Sequence, residues 1–156
     1  MKKLALIFAG LSLMAISGCN NSDDNEQPEY SMVGTWKPIR EVRTSVPTGG
    51  GGVTDDITYT TCQQDGRWLF NENKTGKRTD KGEVGNPLAC STTSDRNLTY
   101  NYNKEDTSIE IKYAGTIVSD IGKVVYLDQT TMNLRIDDNT NPTVAKSTTY
   151  TLKRVQ

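Results

Sequence analysis

The chain has 156 residues, with 18 Lys and Arg against 19 Asp and Glu, and it contains no His. Charges of both signs are interspersed and form no basic stripe, so we expect no nucleic-acid partner. The lack of His excludes Ser-His-Asp and Cys-His catalysis and His-based zinc or iron sites. We therefore expect no catalytic residue, no metal and no cofactor.

The first 18 residues have the order of a signal peptide. Lys2 and Lys3 precede an apolar run from Leu4 to Ile16. A run of about 13 residues is too short to span a membrane, which takes about 20, but suits an export signal. It ends at Ile16-Ser17-Gly18-Cys19, which resembles the lipobox of bacterial lipoproteins. This resemblance implies cleavage before Cys19 and its acylation by chains such as palmitate. The alternative is an ordinary secretory signal with a chance Cys.

Residues 19–29 follow as the lipidated Cys and an acidic tether. The stretch from Asn20 to Glu29 has no apolar residue that could pack, which indicates a disordered linker. Solvation accounts for its acids. Ser22-Asp23-Asp24 also resembles the acidic export signal of surface-displayed lipoproteins in one Gram-negative group. We expect an outer-membrane, surface-exposed protein whose single domain is residues 30–156.

Cys62 and Cys90 are the remaining cysteines. In an oxidising compartment a disulfide is the expected state. It would close a loop of about 29 residues and stabilise the fold by about 3–4 kcal/mol. A reactive or metal-binding thiol pair is the alternative, and no Cys-x-x-Cys spacing supports it.

Strand signals fill the remainder of the chain, and no segment makes a convincing helix. A long loop at 44–56, centred on Gly49–Gly52, is flexible rather than a phosphate cradle, because no Gly-Lys-Ser/Thr follows it. The turn at 71–76 is expected to hold Gly76 at positive φ. Eight to ten short strands indicate an antiparallel sandwich or barrel. The predicted strands are 33–43, 57–62, 67–71, 76–83, 97–103, 108–113, 115–121, 123–128, 132–137 and 147–155.

Gly34-Thr35-Trp36 opens the first strand and resembles the Gly-x-Trp signature of lipocalins. In that family the Trp closes the bottom of an eight-stranded barrel, and an Arg of the last strand packs across its indole. Arg154, in the terminal Tyr150–Val155, matches that Arg. The order of lipobox, tether, Gly-Thr-Trp-Lys, Cys62 before a hairpin, and this terminal motif is similar to small lipocalin-like lipoproteins. The resemblance implies an all-β, small antiparallel up-and-down barrel of about eight strands. It assigns barrel closure, rather than ligand binding, to Gly34, Trp36 and Arg154.

Two functions remain open. In the first, the barrel binds a small apolar or amphipathic ligand against aromatic side chains that otherwise form an ordinary core. In the second, the barrel is filled and its loops dock a protein or a glycan. A cavity above about 300 Å³ would favour the first, and a solid core the second. The candidate ligand-binding residues are Trp68, Phe70, Tyr100, Tyr102, Tyr113 and Tyr126.

An enzyme is the least favoured class. The acidic pairs, such as Asp55-Asp56, are adjacent in sequence and sit in turns, where neighbouring side chains point apart. Asp137, Asn139 and Asn141 alternate like the first ligands of a calcium loop, but Pro142 replaces the required Gly. We interpret that segment as a polar hairpin loop. For the oligomeric state of the protein, we expect a monomer.

Overall fold

The computed structural model describes residues 29–156. The predicted signal peptide, Cys19 and the tether up to residue 28 therefore lie outside the described residues. One α-helix and nine strands follow in chain order. They are β1 (Gly34–Pro47), β2 (Val53–Thr58), α1 (Thr61–Gln64), β3 (Arg67–Phe70), β4 (Thr75–Val84), β5 (Ala89–Tyr102), β6 (Ser108–Tyr113), β7 (Asp120–Leu127), β8 (Thr131–Asp138) and β9 (Val144–Arg154).

The strands form one antiparallel sheet that closes on itself. Each strand from β3 onward pairs with the next, and β9 returns to pair with β1 along most of its length. The first part of β1 pairs with β3, while its second part pairs with β2 on the same side. Because β2 and β3 share one position, the nine strands make an eight-stranded barrel. This confirms the predicted all-β, up-and-down fold.

One end of the barrel is closed. The Arg154 guanidinium lies 4.1 Å from the centre of the Trp36 ring, and Trp36 is fully buried. The indole Nε1 donates to Met32 O at 2.8 Å, and Arg154 donates to the carbonyls of Val33 and Ser31. The two side chains thus fasten the entering segment across the barrel floor. Gly34 has φ +135°, and a Cβ there would meet Arg154 Nη1 at 2.5 Å, so this position requires glycine.

Apolar side chains fill the half of the barrel next to this floor. Period-2 alternation brings one face of every strand inward. Ile111, Leu134 and Leu152 have no exposed surface, and Val124 and Leu98 have almost none. Among the described residues, no helix is long and apolar enough to cross a membrane.

Several predicted boundaries were wrong. Residues 59–62 were predicted as strand, but Thr60 caps the short helix α1 through a reciprocal capping box with Gln63, which ends β2 at Thr58. The segment 115–121 is mostly a turn, and β7 starts at Asp120. The positive φ in the β3–β4 turn belongs to Lys74. Gly76 instead lies inside β4, where a Cβ would meet Leu69 O at 2.1 Å.

The disulfide between Cys62 and Cys90 is present, which confirms that prediction. It joins α1 to the start of β5. In the described chain, β2 pairs with β1 alone, so the barrel wall is interrupted between β2 and β4. The disulfide therefore joins the segment after β2 to β5, between which the described residues form no direct strand pairing.

Candidate ligand site at the open end of the barrel

A bulge in β1 turns charged side chains into the barrel. The register with β9 shifts between Pro38 and Arg40, leaving Ile39 as the extra residue. Alternation from Trp36 would otherwise place Arg40 inside. The bulge instead turns Arg40 out, where it pairs with Asp56, and turns Glu41 in.

Glu41 is a buried carboxyl group with two partners. Its side chain is 6% exposed and forms an ion pair with Arg43, two residues along the same face. Tyr59 Oη donates to Glu41 Oε2 at 2.6 Å. Burial, followed by the hydrogen bond to Glu41, raises the pKa of Tyr59 well above its usual range. Tyr59 therefore remains a neutral hydrogen-bond donor to Glu41 at physiological pH.

Arg78 projects from β4 into the middle of the opening. Its guanidinium lies 4.3 Å from the centre of the Trp68 ring and 5.2 Å from that of Tyr150. Asp80 accepts from Arg78 Nε at 2.9 Å. Burial acts to lower the pKa of Arg78, but Tyr113, Tyr150 and Asp80 raise it overall. The guanidinium is therefore a cation held on an aromatic surface. The contact with the rings stabilises it by about 0.5–2 kcal/mol.

Arg96 lies directly across from Arg78 in the ladder between β4 and β5. Its guanidinium is 4.0 Å from the centre of the Tyr113 ring. Tyr113 Oη is 3.4 Å from Arg78 Nη1 and accepts from it. Burial raises the pKa of Tyr113, so the hydroxyl keeps its proton. Two arginines and a tyrosine hydroxyl thus share one wall of the opening.

A hollow of about 300 Å³ lies on the opposite wall, formed by β1, β2, β8 and β9. Cross-strand pairing puts Arg43 opposite Asp55 on one side and Thr148 on the other, all on the inner face. A larger groove of about 630 Å³ lies on the outer face of β3–β6, where Thr99 and Lys112 point outward. The inner hollow, unlike the outer groove, adjoins the buried charged side chains. Its remaining inward-facing residues are Ser45, Val53, Asp138 and Lys146.

Residues 32–152 match the family model of the lipocalin-like domain. The chain belongs to this family. Lobster apocrustacyanin A1 is a similar solved structure, with 12% identity and a TM-score of 0.48 over 79% of this chain and 60% of the lobster chain. The chain thus spans 60% of the lobster protein's length. A deswapped triple mutant of bovine odorant binding protein is 11% identical, with a TM-score of 0.42 over 78% of this chain and 72% of the bovine chain. No curated protein matches the sequence.

The lipocalin-like barrel separates the six predicted ligand residues into three groups. Phe70, Tyr100 and Tyr102 lie toward the closed end, where Tyr100 packs edge-on against Phe70 at 5.1 Å. Trp68 and Tyr113 lie under the arginines of the open end. Tyr126 is not inside. A register shift in β7 between Val124 and Tyr126 turns its ring outward, where it is 49% exposed.

Sequence reasoning missed the charged residues of the open end. Glu41, Arg78 and Arg96 look like solvated strand residues in the sequence, because their neighbours alternate in charge and polarity. The sequence did contain a signal for them. Arg78 lies two residues from Gly76 and Arg96 lies two residues from Leu98, so both occupy inward-facing positions of their strands. Continuing the two-residue alternation from the apolar core toward the open end would have predicted that both arginines point inward.

The segment whose spacing resembles a calcium loop forms turns of its own. Asn141 Oδ1 accepts from the backbone and side chain of Thr143, and Asp138 Oδ1 accepts from Thr140. Within residues 29–156, no group of three or more Cys, Asp or Glu side chains is arranged to hold a metal ion.

Proposed function

We propose that this protein is a lipid-anchored outer-membrane lipoprotein, displayed on the cell surface, that binds a small amphipathic ligand at the open end of its barrel. One observation carries the ligand proposal, namely the layer of charged and aromatic side chains across the barrel interior. Burying Glu41 and the Arg78 guanidinium costs folding free energy that an apolar core would not. A barrel that served only as a scaffold would gain nothing from that cost.

The filled half of the barrel sets the depth of the proposed site. Ile111, Leu134 and Leu152 leave no room below Trp68, so a long apolar ligand does not fit in the interior. A ligand at the opening would contact the ring of Tyr150 and the hollow beside Arg43. Such a ligand needs an apolar part for the rings and a polar part for the charges. Membership of the lipocalin-like family supports a binding role.

The test uses residues 20–156, which include every strand of the barrel, purified from an oxidising compartment. The probe is N-phenyl-1-naphthylamine, whose fluorescence rises in apolar surroundings. Thr148→Trp would fill the inner hollow and is expected to weaken binding at least tenfold. Thr149→Trp, on the outward side of the same strand, is the matched control. If Thr99→Trp in the outer groove abolishes binding while Thr148→Trp does not, the proposed site is wrong.

The anchor is tested separately in growing cells. Labelled palmitate is expected to enter the wild-type chain and the Cys90→Ser control, and to be absent from Cys19→Ala. External protease is expected to digest the wild-type protein on intact cells. Incorporation of label into Cys19→Ala would overturn the lipobox assignment, and protection from protease would overturn surface display.

A second function is favoured by the loops around the opening. Leu88 and Ile117 are 71% and 95% exposed, on the β4–β5 and β6–β7 loops. Exposed aliphatic tips at one end favour docking to a protein partner through these loops. A photo-crosslinker at Ile117 should then give one discrete adduct on living cells, and one at Asn73 on the closed end none. The absence of an adduct at Ile117 would reject this alternative.

A further inference from the structure

Arg96 differs from the other arginines inside the barrel opening. Arg43 pairs with Glu41, and Arg78 pairs with Asp80. No salt bridge or hydrogen bond among the described residues involves the side chain of Arg96. Its Nε is completely buried without a hydrogen-bond partner. The Arg96 side chain is therefore a partly buried cation that has no acceptor among residues 29–156.

This arrangement is unfavourable on its own. A buried N–H without an acceptor costs about 1–3 kcal/mol, and more when the group is charged. Arg96 also faces Arg78 directly across two strands, where like charges repel. Stacking on Tyr113 offsets part of this unfavourable free energy and fixes the plane of the guanidinium. An arginine side chain that the fold did not hold in place would extend its guanidinium into water instead.

The neighbouring groups present donors to the same region. Tyr113 is a neutral hydroxyl next to Arg78 Nη1 and can turn its proton toward a ligand. Asp120, on the inner face opposite Ile111, forms no ion pair with Arg96. Asp80 is already engaged with Arg78. The described chain therefore supplies no acceptor to the Arg96 side chain, and its terminal nitrogens are free to donate to water or to a ligand.

We propose that the guanidinium of Arg96, with Tyr113 and Arg78 beside it, binds the oxyanion of a small organic anion, such as a carboxylate or a sulfonate. The terminal nitrogens of Arg96 offer the paired donors that such groups accept in a bidentate manner. The apolar body of the ligand would lie against the ring of Tyr150. This inference rests on the proposed ligand site and assigns the chemical class of its ligand.

Two probes with the same aromatic frame test the inference. 8-Anilinonaphthalene-1-sulfonate carries a sulfonate, and N-phenyl-1-naphthylamine does not. The wild-type protein is expected to bind the sulfonate at least tenfold more tightly, and Arg96→Gln is expected to remove that preference. Arg96→Lys should keep part of it, because charge remains while the planar pair of donors is lost. Arg40→Gln, on the outer face of β1, is the matched control and should bind like wild type.

The outcomes separate the two proposals. If both probes bind the wild type equally, the anion inference is wrong while the ligand site stands. If neither probe binds, the ligand site itself is overturned, and the anion inference with it. A preference for the sulfonate that persists in a folded Arg96→Gln protein would assign the anion to other cations. The comparison of the two probes on wild type needs no variant, so it decides whether the site prefers an anion even if Arg96→Gln fails to fold. Arg96→Lys, which keeps the charge, then tests the role of Arg96 itself.

Discussion

Replacing Arg154 by methionine should lower the free energy of unfolding more than the same replacement of a surface arginine. The substitution removes a cation–π contact with Trp36 at 4.1 Å, about 0.5–2 kcal/mol. It also removes the hydrogen bonds from Arg154 to the carbonyls of Val33, Ser31 and Gln129. Hydrogen bonds from a charged donor contribute about 1.5–3 kcal/mol each when buried, and less at the half-exposed floor. Since methionine keeps much of the apolar stem, the expected loss is about 3 kcal/mol.

Urea denaturation followed by tryptophan fluorescence measures this loss, with Trp36 and Trp68 as the reporters. The matched control is Arg135→Met, which removes only an exposed ion pair with Asp137 and should cost less than about 1 kcal/mol. Arg154→Lys should fall between the two, because one ammonium group cannot reach three carbonyls. A loss below about 1 kcal/mol for Arg154→Met would refute the view that Arg154 fastens the entering segment to the barrel floor.

Three further predictions concern other parts of the barrel. Gly34→Ala should lose about 1–3 kcal/mol in the same urea assay, because φ +135° and the contact with Arg154 both oppose a Cβ, while Gly49→Ala, with open space around it, should change little. Cys62→Ser with Cys90→Ser should lower stability by about 3–4 kcal/mol, and reduction of the wild type should give the same loss. The raised pKa of Tyr59 means that the unfolded chain releases this proton near pH 10 while the folded chain retains it. Stability should therefore be full below pH 10 and fall above it, and Tyr59→Phe should flatten that fall, whereas the exposed Tyr30→Phe should leave its slope unchanged.

The sequence predicted the barrel because its closed half follows simple periodicity. Alternation at Ile109, Ile111 and Tyr113 matches their burial, and the Gly-x-Trp segment identified the closed end. The resemblance of the terminal segment placed Arg154 against Trp36, as the structure has it. Short-range pattern and a family signature were sufficient for that part of the fold.

The open end could not be predicted in the same way, because bulges reverse the alternation there. One extra residue at Ile39 exchanges Arg40 for Glu41 on the inner face, and another near Val125 turns Tyr126 outward. No residue type in these segments marks a bulge. The helix Thr61–Gln64 was missed for a different reason, since four residues are too few to show a 3.6-residue period.

The route by which the chain enters the barrel gives the molecule a polarity. Glu29 and Ser31 contact Lys104 and Arg154 at the closed end, so the first described residues enter the barrel from that end. If Cys19 carries a lipid anchor, as proposed, the chain is joined to the membrane through the end of the barrel opposite the ligand opening. A ligand would then be exchanged with the surrounding medium instead of being extracted sideways from the bilayer. Under that proposal, the opening is the end of the barrel that a ligand reaches without passing the attachment of the chain.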